Sequence, residues 1–107
     1  MQTEAYDWPE AFFAPRAWRV RRPEPEAELV AEAARRLARA ERPLIVCGGG
    51  VIYSGASEEL AAFALRHGVP VVESQAGKGA LPWDHPLNAG PVGAAGGLAA
   101  NRLAARA

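Results

Sequence analysis

The stretch Pro43–Ser54 (PLIVCGGGVIYS) constrains the fold more than any other part of this chain. Leu44, Ile45, Val46 and Cys47 form an apolar run without alternation, which predicts a strand buried on both faces of a parallel sheet. Gly48, Gly49 and Gly50 follow, where the chain can turn sharply and take positive φ without a Cβ clash. A helix is predicted to begin a few residues later, near Ser57. Strand, glycine turn and helix in that order make the first half of a βαβ unit.

The flanking segments complete that unit. From Glu26 to Arg42, Leu29, Ala33, Leu37 and Ala40 recur at spacings of three and four, predicting an amphipathic helix made to lie on a sheet. Glu32 and Arg36 sit four apart in the favourable order, and Pro43 stops the helix. A second helix is predicted over Ser57–His67, with Ser57 as N-cap, Glu58 and Glu59 in the first turn and Gly68 as C′ residue. Leu60, Phe63 and Ala64 give its buried stripe, and His67 reads as a surface residue that compensates the helix dipole. Val69–Glu73 is the second strand, joined to the first by a right-handed crossover between parallel neighbours. Ser74–Gly79 is a glycine-bearing loop, Leu81–Pro91 an irregular proline-rich segment, and the end of Gly93–Ala107 a third helix. The expected fold class is α/β: a Rossmann-like three-layer fragment with parallel strands, the front half of a doubly wound domain. Two strands and no third leave edges and a face uncovered, so the chain alone is expected to be marginally stable or to self-associate.

A chain of 107 residues is one domain or part of one. Its formal net charge of zero argues against a dedicated nucleic-acid binder. A single cysteine inside the apolar run allows no disulfide framework and reads as a small buried hydrophobe. Early acids and prolines speak against a signal peptide. No apolar run approaches the roughly 20 residues that span a bilayer, and a soluble, cytoplasmic setting is expected. Residues 1–25 form a separate arm, because Pro9, Pro15, Pro23 and Pro25 forbid a long helix. Tyr6, Trp8, Phe12, Phe13 and Trp18 crowd into it, which a freely solvated linker would not do. The arm is therefore expected to pack either on its own domain or, the preferred reading, on a neighbouring one, and its arginines (Arg16, Arg19, Arg21, Arg22) to form a solvated or salt-bridged face.

Three groupings could carry chemistry. The first is a nucleotide-facing turn at Gly48, Gly49 and Gly50, with Glu73 placed where a ribose-binding acid would stand. The last position of that glycine fingerprint is Tyr53, and a plain tight turn with close helix packing explains the glycines equally well. The second, Gly77-Lys78, lacks both the earlier glycine (Val72 stands there) and the hydroxyl residue (Gly79) of a phosphate loop. The third is Asp84-His85 with Cys47, where no pattern sets a nucleophile against a base and no metal-ligand spacing exists. Asp84 and His85 read instead as ties within their loop.

The runs Arg42–Gly50, Gly68–Val72 and Gly77–Pro86, the last with the pattern G-K-G-x-x-P-x-x-H-P followed by Gly90, resemble the central domain of thiamine-diphosphate-dependent enzymes. Ala5–Phe13 and Arg21–Pro25 are similar to the branch that opens a cyclic trihydroxylated dione with water in myo-inositol catabolism. The resemblance implies a much longer polypeptide, with pyrimidine- and diphosphate-binding domains on either side, Mg²⁺ as co-ligand and a homo-oligomeric parent. It implies residues 1–25 as an interdomain linker and residues 26–107 as a partial central domain, with Met1 an internal or artificial start. None of the family's cofactor residues carries over, because no Gly-Asp-Gly is present and the aspartates are Asp7 and Asp84. The chain by itself is thus expected to be structural and inactive, without metal or catalytic residues. The alternatives are the central domain of an acetolactate-synthase-like enzyme and a stand-alone nucleotide-binding module.

Overall fold

A computed structural model describes residues 4, 5 and 7–107. Met1 and Tyr6, on which two expectations fell, lie outside the described residues. Strands β1 (Ile45–Cys47), β2 (Val71–Glu73) and β3 (Asn88–Pro91) form one parallel sheet in the order β1-β2-β3. The helices are α1 (Ala27–Arg39), α2 (Gly49–Ser54), α3 (Ser57–His67) and α4 (Leu98–Ala104). The α/β, Rossmann-like, parallel architecture is as expected, but the sheet has three strands where two were foreseen.

The third strand escapes a sequence pattern because Asn-Ala-Gly-Pro has poor strand propensity. Pairing places it instead: Val71 donates to the Leu87 carbonyl at 2.9 Å and Val92 to that of Glu73 at 2.9 Å. Val71 stands opposite Asn88 and Glu73 opposite Pro91, so β3 carries one extra residue, a bulge that bends it. Gly90 within it has φ +89°, a conformation that favours glycine.

β2 is the centre of the core, with every residue buried. Cys47, Ala64, Val71, Ala80 and Leu81 form the buried cluster, and Leu60, Ala61, Val51 and Ile45 pack against it. α3 therefore covers the sheet face that carries Ile45, Cys47 and Val71. The opposite face is half dressed. Val72 is 0% exposed while its register partner Val46 is 57% exposed. The expectation that β1 is buried on both faces is thus corrected: at the sheet's outer edge only one face of it is covered.

α3 has the foreseen bounds and ends on Gly68 at φ 65°, whose N–H donates back to Ala64. Its N-cap is Ala56, not Ser57, which falls inside the first turn. The glycine run is also corrected. None of Gly48, Gly49 and Gly50 has positive φ, and helix already begins at Gly49. α1 forms within its expected range, and Glu32 accepts from Arg36 at 2.7 Å and from Arg35 at 2.8 Å. These arginines, Arg36 first, hold the Glu32 carboxyl below its ordinary range. The helix does not lie down on the sheet, however. It has no buried residue, and an open cleft of about 610 Å³ lies between its Leu37 side and Phe63 and Val69. The described residues of the arm are all exposed.

Candidate functional site

The carboxyl ends of β1 and β2 meet the glycine turn on one side and the Ser74–Ala80 loop on the other. Gly48 is the N-cap of α2. A Cβ on Gly49 would stand 3.3 Å from the carbonyl oxygen of Ala76, whereas one on Gly50 would face open space. Gly77 is pressed against the backbone of Cys47 and Gly48, where no side chain fits. The loop is thus laid directly on the end of β1. Ser74 fixes its start, accepting from Gly77 N–H at 3.2 Å and donating its own N–H to Cys47 at 2.9 Å.

Glu73 holds the rest of the loop. The residue is 4% exposed, and Oε1 accepts from Gly79 N–H at 3.0 Å and Leu81 N–H at 3.5 Å. A buried carboxylate needs such donors. The acid that the sequence placed for a ribose therefore has one oxygen engaged within its own chain. Sequence reasoning missed this staple, although an acid four residues ahead of a tight Gly-Lys-Gly turn is a signal that could have suggested it. Burial, then the charge of Glu73, pushes the Cys47 thiol above its ordinary range. That thiol is protonated at neutral pH and inert as a nucleophile.

Asp84 and His85 are not brought to Cys47. His85 Nδ1 accepts from Leu87 N–H at 3.2 Å, and its backbone bonds to Pro82 and Asn88, so it ties its loop as expected. Asp84 is exposed and makes no hydrogen bond among the described residues. No group of three His, Cys, Asp or Glu side chains that could hold a metal occurs among the described residues. His67 stands in the last turn of α3 beside Phe63, ring centroids 4.5 Å apart. In the arm, Trp8 stacks on Phe12 at 4.5 Å and Phe12 meets Phe13 edge-on at 5.4 Å, with all three exposed. Its arginines make no ion pair among the described residues; Arg22 instead donates to the Tyr53 carbonyl at 2.8 Å.

A second opening lies beyond the ends of β2 and β3. This cleft of about 600 Å³ is lined by Glu73, Lys78, Gly79, Trp83, Asn88 and Gly90, among others. The sequence did not group these residues, because β3 was not foreseen.

The parallel sheet, the glycine-opened α2 and the stapled loop define a Rossmann-like domain with its loops at the strand ends. Residues 30–107 match the family described as thiamine pyrophosphate enzyme, central domain, and the chain belongs to that family. It is 45% identical over 107 residues, all of this chain, to 3D-(3,5/4)-trihydroxycyclohexane-1,2-dione hydrolase of Geobacillus thermodenitrificans. To proteins of the same name it is 47% identical over 104 residues in Clostridium perfringens and 43% over 104 in Clostridium tetani, 97% of this chain in each case. The chain spans only 16–17% of the length of these relatives. No solved structure matches it.

Proposed function

We propose that the chain serves as the central layer of a thiamine-diphosphate- and Mg²⁺-dependent hydrolase that opens the ring of 3D-(3,5/4)-trihydroxycyclohexane-1,2-dione in inositol catabolism. The observation that carries this reading is identity of 42–47% to hydrolases of that name along essentially the whole chain, arm included. Within such an enzyme the layer is structural. The cofactor, when bound, supplies the nucleophilic carbon and electron sink, and it is held by parts of the polypeptide that lie outside these 107 residues. Residues 1–25 act as an interdomain linker whose aromatics bury against a neighbouring domain, and residues 26–107 act as the partial central domain. The working assembly is a cytoplasmic homo-oligomer.

The test is a chimera. The Geobacillus thermodenitrificans relative, with its matching segment replaced by residues 1–107, should open the dione within about tenfold of the parent rate. A folded, cofactor-binding chimera without ring opening contradicts the reading. The nucleotide-facing role of Gly48, Gly49 and Gly50 is a second reading, favoured by the open space at Gly50. Saturable binding of FAD, ADP or NAD by the chain, lost in Gly50→Val, supports it; no saturation with any of the three removes it.

A further inference from the structure

The arm is tied to the layer at the end of α2, and the tie follows from how short that helix is. α2 runs only from Gly49 to Ser54, so its last carbonyls need donors from beyond its own ladder. Gly55 donates to the Ile52 carbonyl at 3.0 Å and Ala56 to that of Val51 at 3.0 Å. The Ser54 hydroxyl is spent on Val51 as well, at 3.1 Å. Gly55, at φ 72°, then turns the chain away into α3, and no backbone N–H among the described residues bonds the Tyr53 carbonyl. Arg22 supplies that donor from 31 residues upstream, its Nε donating to the Tyr53 oxygen at 2.8 Å. A guanidinium there meets both an unsatisfied carbonyl and the negative end of the helix.

Both sides of the tie are stiff. Pro23 and Pro25 have fixed φ and bias the residues before them, Arg22 and Glu24, toward extended backbone. Glu26 is extended too, at φ −64° and ψ 129°, and α1 starts at the next residue. A short extended strut thus joins Arg22 to the first turn of α1, whose other end runs into β1 through Pro43. With no buried residue, α1 is placed by these two ends more than by packing. α2 is itself seated on the loop that Glu73 staples, since a Cβ on Gly49 would stand 3.3 Å from the Ala76 oxygen. The geometry points to Arg22 as a clasp: its bond to Tyr53 sets the direction in which the arm and the root of α1 leave the layer, and through them the seat of the neighbouring domain. This rests on the reading of residues 1–25 as an interdomain linker and adds the residue that orients it. Arg22 is a positioning residue, not a catalytic one. Arg19 and Arg21, in the same basic run, make no hydrogen bond or ion pair among the described residues.

The experiment compares the native full chain with Arg22→Ala, Arg22→Lys and Arg21→Ala. The readouts are ¹⁵N heteronuclear NOEs at Val20 and Glu24 and, for the Arg22 variants, the rate of trypsin cleavage after Arg19. Arg22→Ala should lower both NOEs and speed cleavage about fivefold, the loss expected for one hydrogen bond to a charged donor. Arg22→Lys should fall between, because an ammonium reaches the same oxygen as a point donor without the planar fork. Arg21→Ala should leave the NOEs at native values. Far-UV circular dichroism should match the native chain in every variant, which separates release of the arm from unfolding. Native NOEs and cleavage in Arg22→Ala, a lysine no better than alanine, or an equal effect of Arg21→Ala overturns the proposal. In the chimera, Arg22→Ala should lower kcat for ring opening at least about threefold, with Arg22→Lys restoring part of it; an unchanged kcat overturns the seating role. An active chimera beside an unclasped chain defeats this proposal alone, whereas a clasped chain beside an inactive chimera defeats only the hydrolase reading.

Discussion

Residues 43–107 and residues 4–42 differ more in how they are used than in what they are made of. The first region holds every buried residue among those described, centred on β2 and the loop that Glu73 staples, with Cys47 of β1, Ala64 of α3 and Ala100 of α4. The second holds Trp8, Phe12, Phe13, Trp18, Leu29 and Val30, all exposed. Large apolar side chains gain stability only when another surface removes them from water. α1 is well formed and has its ion pairs, yet none of its residues is buried and only Leu37 of its apolar stripe is half-covered. Secondary structure and core membership are therefore separable here.

The comparison breaks most visibly at the close approach of the loop to β1. Gly77→Ala would drive a Cβ into the Cys47 backbone and should cost about 3 kcal/mol or more, read as a loss of urea midpoint; an unchanged midpoint would show that the loop does not rest there. Glu73→Ala leaves the Gly79 and Leu81 amides without their acceptor and should cost about 2 kcal/mol, with Glu73→Gln recovering part of it. Next comes a pair on one sheet face. Val72→Ala, fully buried, should lose about 1.5 kcal/mol, while Val46→Ala, mostly exposed, should stay within about 0.5 kcal/mol. Equal effects would mean that the Val46 face is covered after all.

Two smaller effects sharpen the contrast. The folded Cys47 thiol is raised by burial and by Glu73, so the unfolded chain loses that proton first as pH climbs. The stability it contributes is complete below the unfolded value of about 8.5 and is lost as pH rises through the folded value. The gap between the urea midpoints of the native chain and Cys47→Ala should be constant around neutral pH and narrow on the alkaline side, because only the native chain loses stability there. Trp18→Ala should be smallest of all, within about 0.5 kcal/mol, because that ring is 81% exposed. In the long chimera the same change should matter more.

Much of residues 43–107 was legible. Val69–Val72 reads as a buried strand because its β-branched run has no polar face, and α3 because its acids, basic last turn and Gly68 mark both ends. What stayed hidden was set by tertiary pairing. β3 is a strand only because Val71 and Val92 offer it hydrogen bonds, and without it the Glu73–Lys78–Trp83 cleft cannot be assembled from the sequence. Glycine's low helix propensity likewise concealed α2, whose first turn is backed by Ala76 of the loop. The α1 stripe was read correctly as apolar, but a stripe does not say which surface it meets.

Residue-resolved amide hydrogen exchange on the isolated chain tests the division between the two regions most directly. Protection should be greatest at Ile45, Val71, Ser74, Gly79 and Val92, whose amides are bonded across elements or to the Glu73 staple. It should be weak through α1 and absent through the described arm. Protection of Leu29–Arg39 equal to that of β2 would contradict the account, because it would place α1 within the same cooperative core.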